Sequence, residues 1–227
     1  MIMNKKIIKF FLFGDSICFG QLVSSHLTWV TTLGTAVESL ENDDQKYVVQ
    51  NAGVNGNTSR QALERIHNDV TSHSPDYVLV QFGMNDCNYW ANDLGMPRVS
   101  KKAFVANLEE IVEKCINAGA LHCFLNTNHP SLKGSFSHFS DITFDESNIE
   151  YNQLIRVTYE NLLKGGFPIT LLDNELIWEQ HLKRDQTKHL LDYLLEDGIH
   201  LNVAGHQLYR EYLTPYIIKV LKSTEDQ

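Results

Sequence analysis

Four short stretches of this chain carry residue types suited to nucleophilic chemistry. Phe13-Gly14-Asp15-Ser16 puts a serine directly after a dense apolar run, in a turn that contains glycine. There the N–H groups and dipole of a following helix would favour a developing negative charge. Asp197-Gly198-Ile199-His200 puts a carboxylate and an imidazole in one tight turn. A serine nucleophile needs a base within hydrogen-bond reach, and that base needs a carboxylate to fix its tautomer. Asn51-Ala52-Gly53 and Gly83-Met84-Asn85-Asp86 offer an unobstructed backbone N–H at Gly53 and an amide at Asn85. Donors of these two kinds hold the oxyanion of a tetrahedral acyl-transfer intermediate. Each stretch alone also has a plain structural reading: Ser16 as a helix cap, Asp197 as a turn before a helix, Gly53 and Asn85 as turn residues.

For the four to meet, each must leave the same end of one scaffold. The apolar patterning predicts strands over Lys6–Phe13, Tyr47–Gln50, Tyr77–Phe82, Leu121–Leu125 and Ile169–Leu172. Helical spacing predicts helices over Trp29–Leu40 and Ser59–Val70, then one capped by Ser100, carrying Phe104, Leu108, Ile111, Val112 and Cys115 and closed at Gly119. A further helix is expected over Ile149–Leu163, stopped by Gly165-Gly166, and a last one capped by Asn202 that Pro215 should kink or interrupt. Such alternation of strand and helix implies an α/β fold with a five-stranded parallel sheet covered on both faces. In such sheets ligands bind beyond the carboxyl ends of the strands, which is where all four stretches fall. Two long irregular stretches, 87–99 and 130–148, leave the same end and carry Tyr89, Trp90, Phe136, Phe139 and Phe144. Loops of that length are usually lids or binding segments.

Composition narrows the class. The chain has 227 residues, 43% of them apolar and 21% charged, enough for one full core and without repeats. One domain is expected over 1–222, followed by a polar tail over 223–227. The net charge of −9 and the scattered basic residues exclude a phosphate-binding stripe, so nucleic acid is not an expected partner. Lys5, Lys6 and the apolar run after them look superficially like an export signal. The run is interrupted by Lys9, lacks a small-residue cleavage site and flows into Ser16, so it reads as a buried strand. A cytoplasmic protein without stable membrane association is therefore expected. Cys18, Cys87, Cys115 and Cys123 form no metal-ligand spacing and read as buried, reduced thiols.

Taken together and in this order, the four stretches closely resemble the SGNH (GDSL-like) hydrolase family, named for one Ser, Gly, Asn and His from each block. The resemblance spans nearly the whole chain; Ile17 stands where that family often has Leu, and the GxSxG of α/β-hydrolases is missing. It implies a flavodoxin-like three-layer α/β/α sandwich with no metal and no organic cofactor. It also implies a catalytic triad of Ser16, His200 and Asp197, with an oxyanion hole from Ser16, Gly53 and Asn85. Asp15, Asn55, Asn57 and His129 are candidate contacts to a small-molecule ester. Trp178, Trp90 and Tyr89 could line a pocket, although aromatic residues more often fill cores. Polar loops and the lack of a long apolar lid favour a short acyl group, such as acetyl on a carbohydrate. The alternatives are a lysophospholipase or thioesterase, an acyltransferase using the same triad, or a binding module that keeps the fold. Oligomeric state is not legible in the chain.

Overall fold

The computed structural model describes residues 5–137 and 139–225. Five strands form one all-parallel sheet in the order β2-β1-β3-β4-β5: β1 Lys6–Gly14, β2 Gln45–Gly53, β3 Tyr77–Gln81, β4 His122–Asn126 and β5 Ile169–Leu172. Every residue of β3 is buried, as expected of a central strand covered on both faces. The edge strand β2 is half exposed. The helices are α1 Ser16–Phe19, α2 Trp29–Glu38, α3 Ser59–Asp69, α4 Lys101–Asn117, α5 Phe144–Lys164, α6 Asn174–Arg184 and α7 Val203–Glu225. Helix α2 packs on α7 in one layer, and α3, α4 and α5 pack side by side in the other. The expected flavodoxin-like three-layer sandwich is thus the fold.

Aromatic side chains from β1 anchor the core. Phe10 lies against Tyr77 and Phe124, and Phe13 meets Phe82 edge-on. Register brings Gly14 beside both Gly53 and Gln81, so β1 delivers its carboxyl end between β2 and β3. The strand order reverses there, with β2 on one side of β1 and β3 on the other, at the topological switch point of the sheet.

Several boundaries differ from the sequence expectation. Helix α5 starts five residues before Ile149. Thr143 forms a capping box with Glu146 that draws Phe144–Asn148 into the helix and shortens the preceding loop. Helix α6, capped by Asp173, was not expected. Pro215 does not end α7, which continues to Glu225 and therefore takes in Ser223–Glu225 of the expected tail. Buried Leu213, Ile217 and Leu221 hold the helix on both sides of the missing N–H. Met1–Asn4, His138, Asp226 and Gln227 lie outside the described residues, and with them part of the expected tail and one position of the second loop. All four cysteines are buried and free.

Candidate active site

Helix α1 has only four residues, too few to be stable by itself. Tertiary bonds hold it in place. The Asp15 side chain accepts from Ile17 N at 2.9 Å, the Trp29 indole donates to Ile17 O at 2.8 Å, and Asn51 Nδ2 donates to Cys18 O at 3.3 Å. Ser16 thereby stands at the first position of a helix, almost buried, with its Oγ 2.9 Å from His200 Nε2.

His200 comes from a loop that closes on itself before α7. Leu195 N donates to His200 O, and Gly198 N donates to Leu195 O. Asp197 Oδ1 accepts the N–H groups of both Ile199 and His200 at 2.9 Å, while its Oδ2 lies 2.5 Å from His200 Nδ1. Although partial burial pushes its carboxyl upward, the His200 contact and the two backbone donors hold Asp197 below the usual carboxylate value. A serine, a histidine and a carboxylate so arranged can pass the hydroxyl proton to the imidazole and steady the resulting cation.

The donor side departs from expectation at Gly53. Its N–H is already donated to Asn51 Oδ1 at 2.9 Å, so it is not presented to a substrate. What Gly53 supplies is the absence of a side chain: a Cβ there would lie 2.4 Å from Phe19 N and 2.9 Å from the carbonyl carbon of Cys18. Three residues further on, Gly56 occupies the turn tip with φ +75°, exposed, with no atom within 4 Å of where a Cβ would be. Among the described residues its N–H has no acceptor. This turn adjoins Asn85, whose Nδ2 donates to Asn57 O at 3.1 Å and makes a longer 3.4 Å contact with Asp15 Oδ2. Gly56 therefore carries the open N–H of this turn, at a position that sequence reasoning passed over.

Arg65 ties these parts together from beneath. Its guanidinium donates to Gly14 O and Ala52 O, both at 2.8 Å, and to Asn57 Oδ1 at 2.7 Å, and it sits over the Phe13 ring. One side chain thus pins the ends of β1 and β2 and the Gly56 turn.

A family model described as GDSL-like Lipase/Acylhydrolase matches residues 12–208. The chain belongs to that family. As a GDSL-like acylhydrolase it is a carboxylic ester hydrolase, acting on small-molecule esters. The GDSL-like chain is 28% identical to an uncharacterized lipoprotein, YqeF, of Bacillus subtilis, over 79% of this chain and 72% of that protein. It is 26% identical to the thioesterase 1/protease 1/lysophospholipase L1 of Escherichia coli, over 84% of this chain and 74% of the other. Among solved structures, the acetylxylan esterase Axe2 of Geobacillus stearothermophilus superposes with a TM-score of 0.69 at 21% identity, covering 94% of both chains. Among the described residues no helix is long and apolar enough to cross a membrane.

The four residues expected to contact substrate in this acylhydrolase fall into different environments. His129 is corrected: it is fully buried, with Nε2 2.8 Å from Ile199 O and Nδ1 3.3 Å from the Tyr209 hydroxyl, and burial holds it down at about 4. It therefore supports the His200 loop from behind instead of meeting substrate. Asp15 is corrected likewise: it is buried as the cap of α1, and burial together with nearby Asp86 pushes its carboxyl up to about 7 despite the Ile17 N–H. Asn57 is committed to Arg65 and Asn85, whereas Asn55 stands exposed on the turn. Of the aromatic candidates, Trp178 and Tyr89 are buried and Trp90 is exposed.

Proposed function

We propose that the chain hydrolyses short-chain carboxylic esters through an acyl-enzyme on Ser16. The observation that carries this reading is the continuous chain Ser16 Oγ, His200, Asp197, with contacts of 2.9 and 2.5 Å. His200 takes the hydroxyl proton as Ser16 Oγ attacks the ester carbonyl. The resulting oxyanion is held by the N–H groups of Ser16 and Gly56 and by Asn85 Nδ2. For this, Asn85 turns the hydrogen that makes only the 3.4 Å contact with Asp15. The tetrahedral intermediate collapses, the ester C–O bond breaks, and His200 returns the proton to the leaving alcohol. Water then enters by the same route: His200 removes its proton, the hydroxide attacks the acyl carbon, and Ser16 is restored as the acid leaves.

A carbohydrate as the alcohol portion draws support from a polar-aromatic hollow of about 240 Å³ between the two long loops, lined by Asn88, Trp90, Lys133 and Phe136 among others. The acetylxylan esterase neighbour points the same way. A second reading, an apolar acyl chain, is favoured by Leu94, Met96, Phe136 and Phe139, all exposed on those loops. Labelling with a fluorophosphonate followed by mapping of the adduct tests the nucleophile. Modification of Ser16, with loss of labelling and of ester cleavage in Ser16→Ala, is the expected result; a Ser16→Ala protein of full activity would overturn it. Turnover of acetyl against octanoyl and palmitoyl p-nitrophenyl esters separates the readings, with acetyl expected to be fastest.

A further inference from the structure

The loop from Cys87 to Val99 contributes one residue that reaches back into the site. Arg98 Nη1 donates to Gly56 O at 3.2 Å and lies 3.5 Å from Asn85 Oδ1. Its guanidinium stacks on the Trp90 ring, 3.8 Å from the ring centroid, and its backbone N–H is fixed by Asn88 O. The carboxylates that face it are buried Asp86 and, on its own loop, Asp93. Gly56 and Asn85 come from different crossovers of the sheet, one after β2 and one after β3, and no strand pairing sets their spacing. A single cationic nitrogen touches both.

We propose that Arg98 is a positioning residue that locks Gly56 and Asn85 at the spacing the oxyanion requires. This rests on the reading of those two groups as oxyanion donors. The amide of Asn85 has two ends of similar shape, and the local charges choose between them. Arg98 attracts Oδ1 on one side, while Asn57 O and Asp15 attract Nδ2 on the other. Reversal would set Nδ2 against a guanidinium and Oδ1 against a carbonyl and a carboxyl group. Lysine cannot substitute fully, because a planar fork stacks on Trp90 while donating at its edge and a rounded ammonium does not. Arg98 thus acts on turnover through its neighbours and has no direct part in binding the ground state.

The test is a double-mutant cycle on p-nitrophenyl acetate, with melting followed in parallel. Asn85→Ala should lower kcat by about a hundredfold to a thousandfold. Arg98→Ala should lower kcat by about tenfold to a hundredfold, with KM held within about twofold and the fold intact. Placed on Asn85→Ala, the same change should cost less than about threefold, because the group it positions is gone. Arg98→Lys should recover part of the loss, and millimolar guanidinium should partly restore Arg98→Ala but not the double variant. Additive losses, a loss confined to KM, or full kcat in both Arg98 variants would overturn the proposal while leaving the oxyanion reading intact. Full kcat in Asn85→Ala would overturn both.

Discussion

Gly53→Ala separates two roles that glycine can play beside a nucleophile. The added Cβ would sit 2.4 Å from Phe19 N and 2.8 Å from Phe19 Cα, backbone atoms that cannot rotate away. Restoring ordinary contact requires a shift of about 1 Å, with an overpacking cost of about 1–3 kcal/mol. Gly53 is paired with Gly14 of β1, so the sheet resists and the four-residue α1 must move. Ser16 lies on that helix, and its Oγ would leave the 2.9 Å contact with His200. A displacement of this size costs about a hundredfold in turnover. The stability cost corresponds to a fall of about 2–12 °C in melting temperature for a chain this long. Gly56→Ala is the control: it meets no atom within 4 Å and keeps its N–H. Its φ of +75° costs about 1–2 kcal/mol for a residue with a Cβ, and kcat should fall less than about tenfold. Thermal melts and p-nitrophenyl acetate hydrolysis on the two variants decide. Gly53→Ala that melts and turns over like the unmodified protein would refute the view that its missing side chain seats the nucleophile.

Asp197→Asn should keep its two backbone bonds through the amide oxygen but present an NH₂ to His200 Nδ1, forcing the wrong tautomer. A drop of about 10⁴ in kcat with little change in melting is expected, and a drop below tenfold would count against the triad. His129→Phe retains a ring against Trp178 but strips Ile199 O of its donor, at a stability cost of about 1–3 kcal/mol. Its KM should stay unchanged, since the ring meets no solvent; a large rise in KM would restore the substrate role. Asp15→Asn tests the buried carboxyl by pH. Folded Asp15 keeps its proton up to about 7 whereas the unfolded chain loses it near 4, so the stability it contributes at low pH is lost as pH rises between them. The melting temperature of Asp15→Asn relative to the unmodified protein should therefore climb across that window, and a flat difference would show that Asp15 does not titrate there.

The fold was legible because its signals are local. Continuous apolar runs marked the buried strands, and Ser100, Gly119 and Gly165-Gly166 marked helix ends through caps that need no tertiary context. Helix α6 had a readable start as well, with Asp173 after β5 and strong helix formers following, but its adjacency to the strand hid it. At Pro215 the local rule was overridden by packing on both sides. The Ser16–His200 contact has another basis. Ser16 directly follows the first strand and the Asp197–His200 turn directly precedes the last helix, and the family resemblance links the two.

What chain order could not convey is which way a group faces. Gly53 ends β2 and Gly56 stands three residues on in the turn that follows, both in front of the same helix, and either could have carried the open N–H. Asn51 decides between them by occupying the first, a contact that depends on its side chain folding back along its own strand. His129 poses the same question. It leaves β4 toward the site, but the layer formed by Trp178 and Tyr209 closes around it, so its proton serves the loop and not the ester. Arg98 is the converse: nothing in its surroundings within the sequence marks it, because a loop of more than ten residues must fold back before it touches Asn85. The proposed nucleophile can be found from a strand end and its proposed base from a helix start, whereas the groups proposed to aim them depend on side-chain directions set only after the layers have closed.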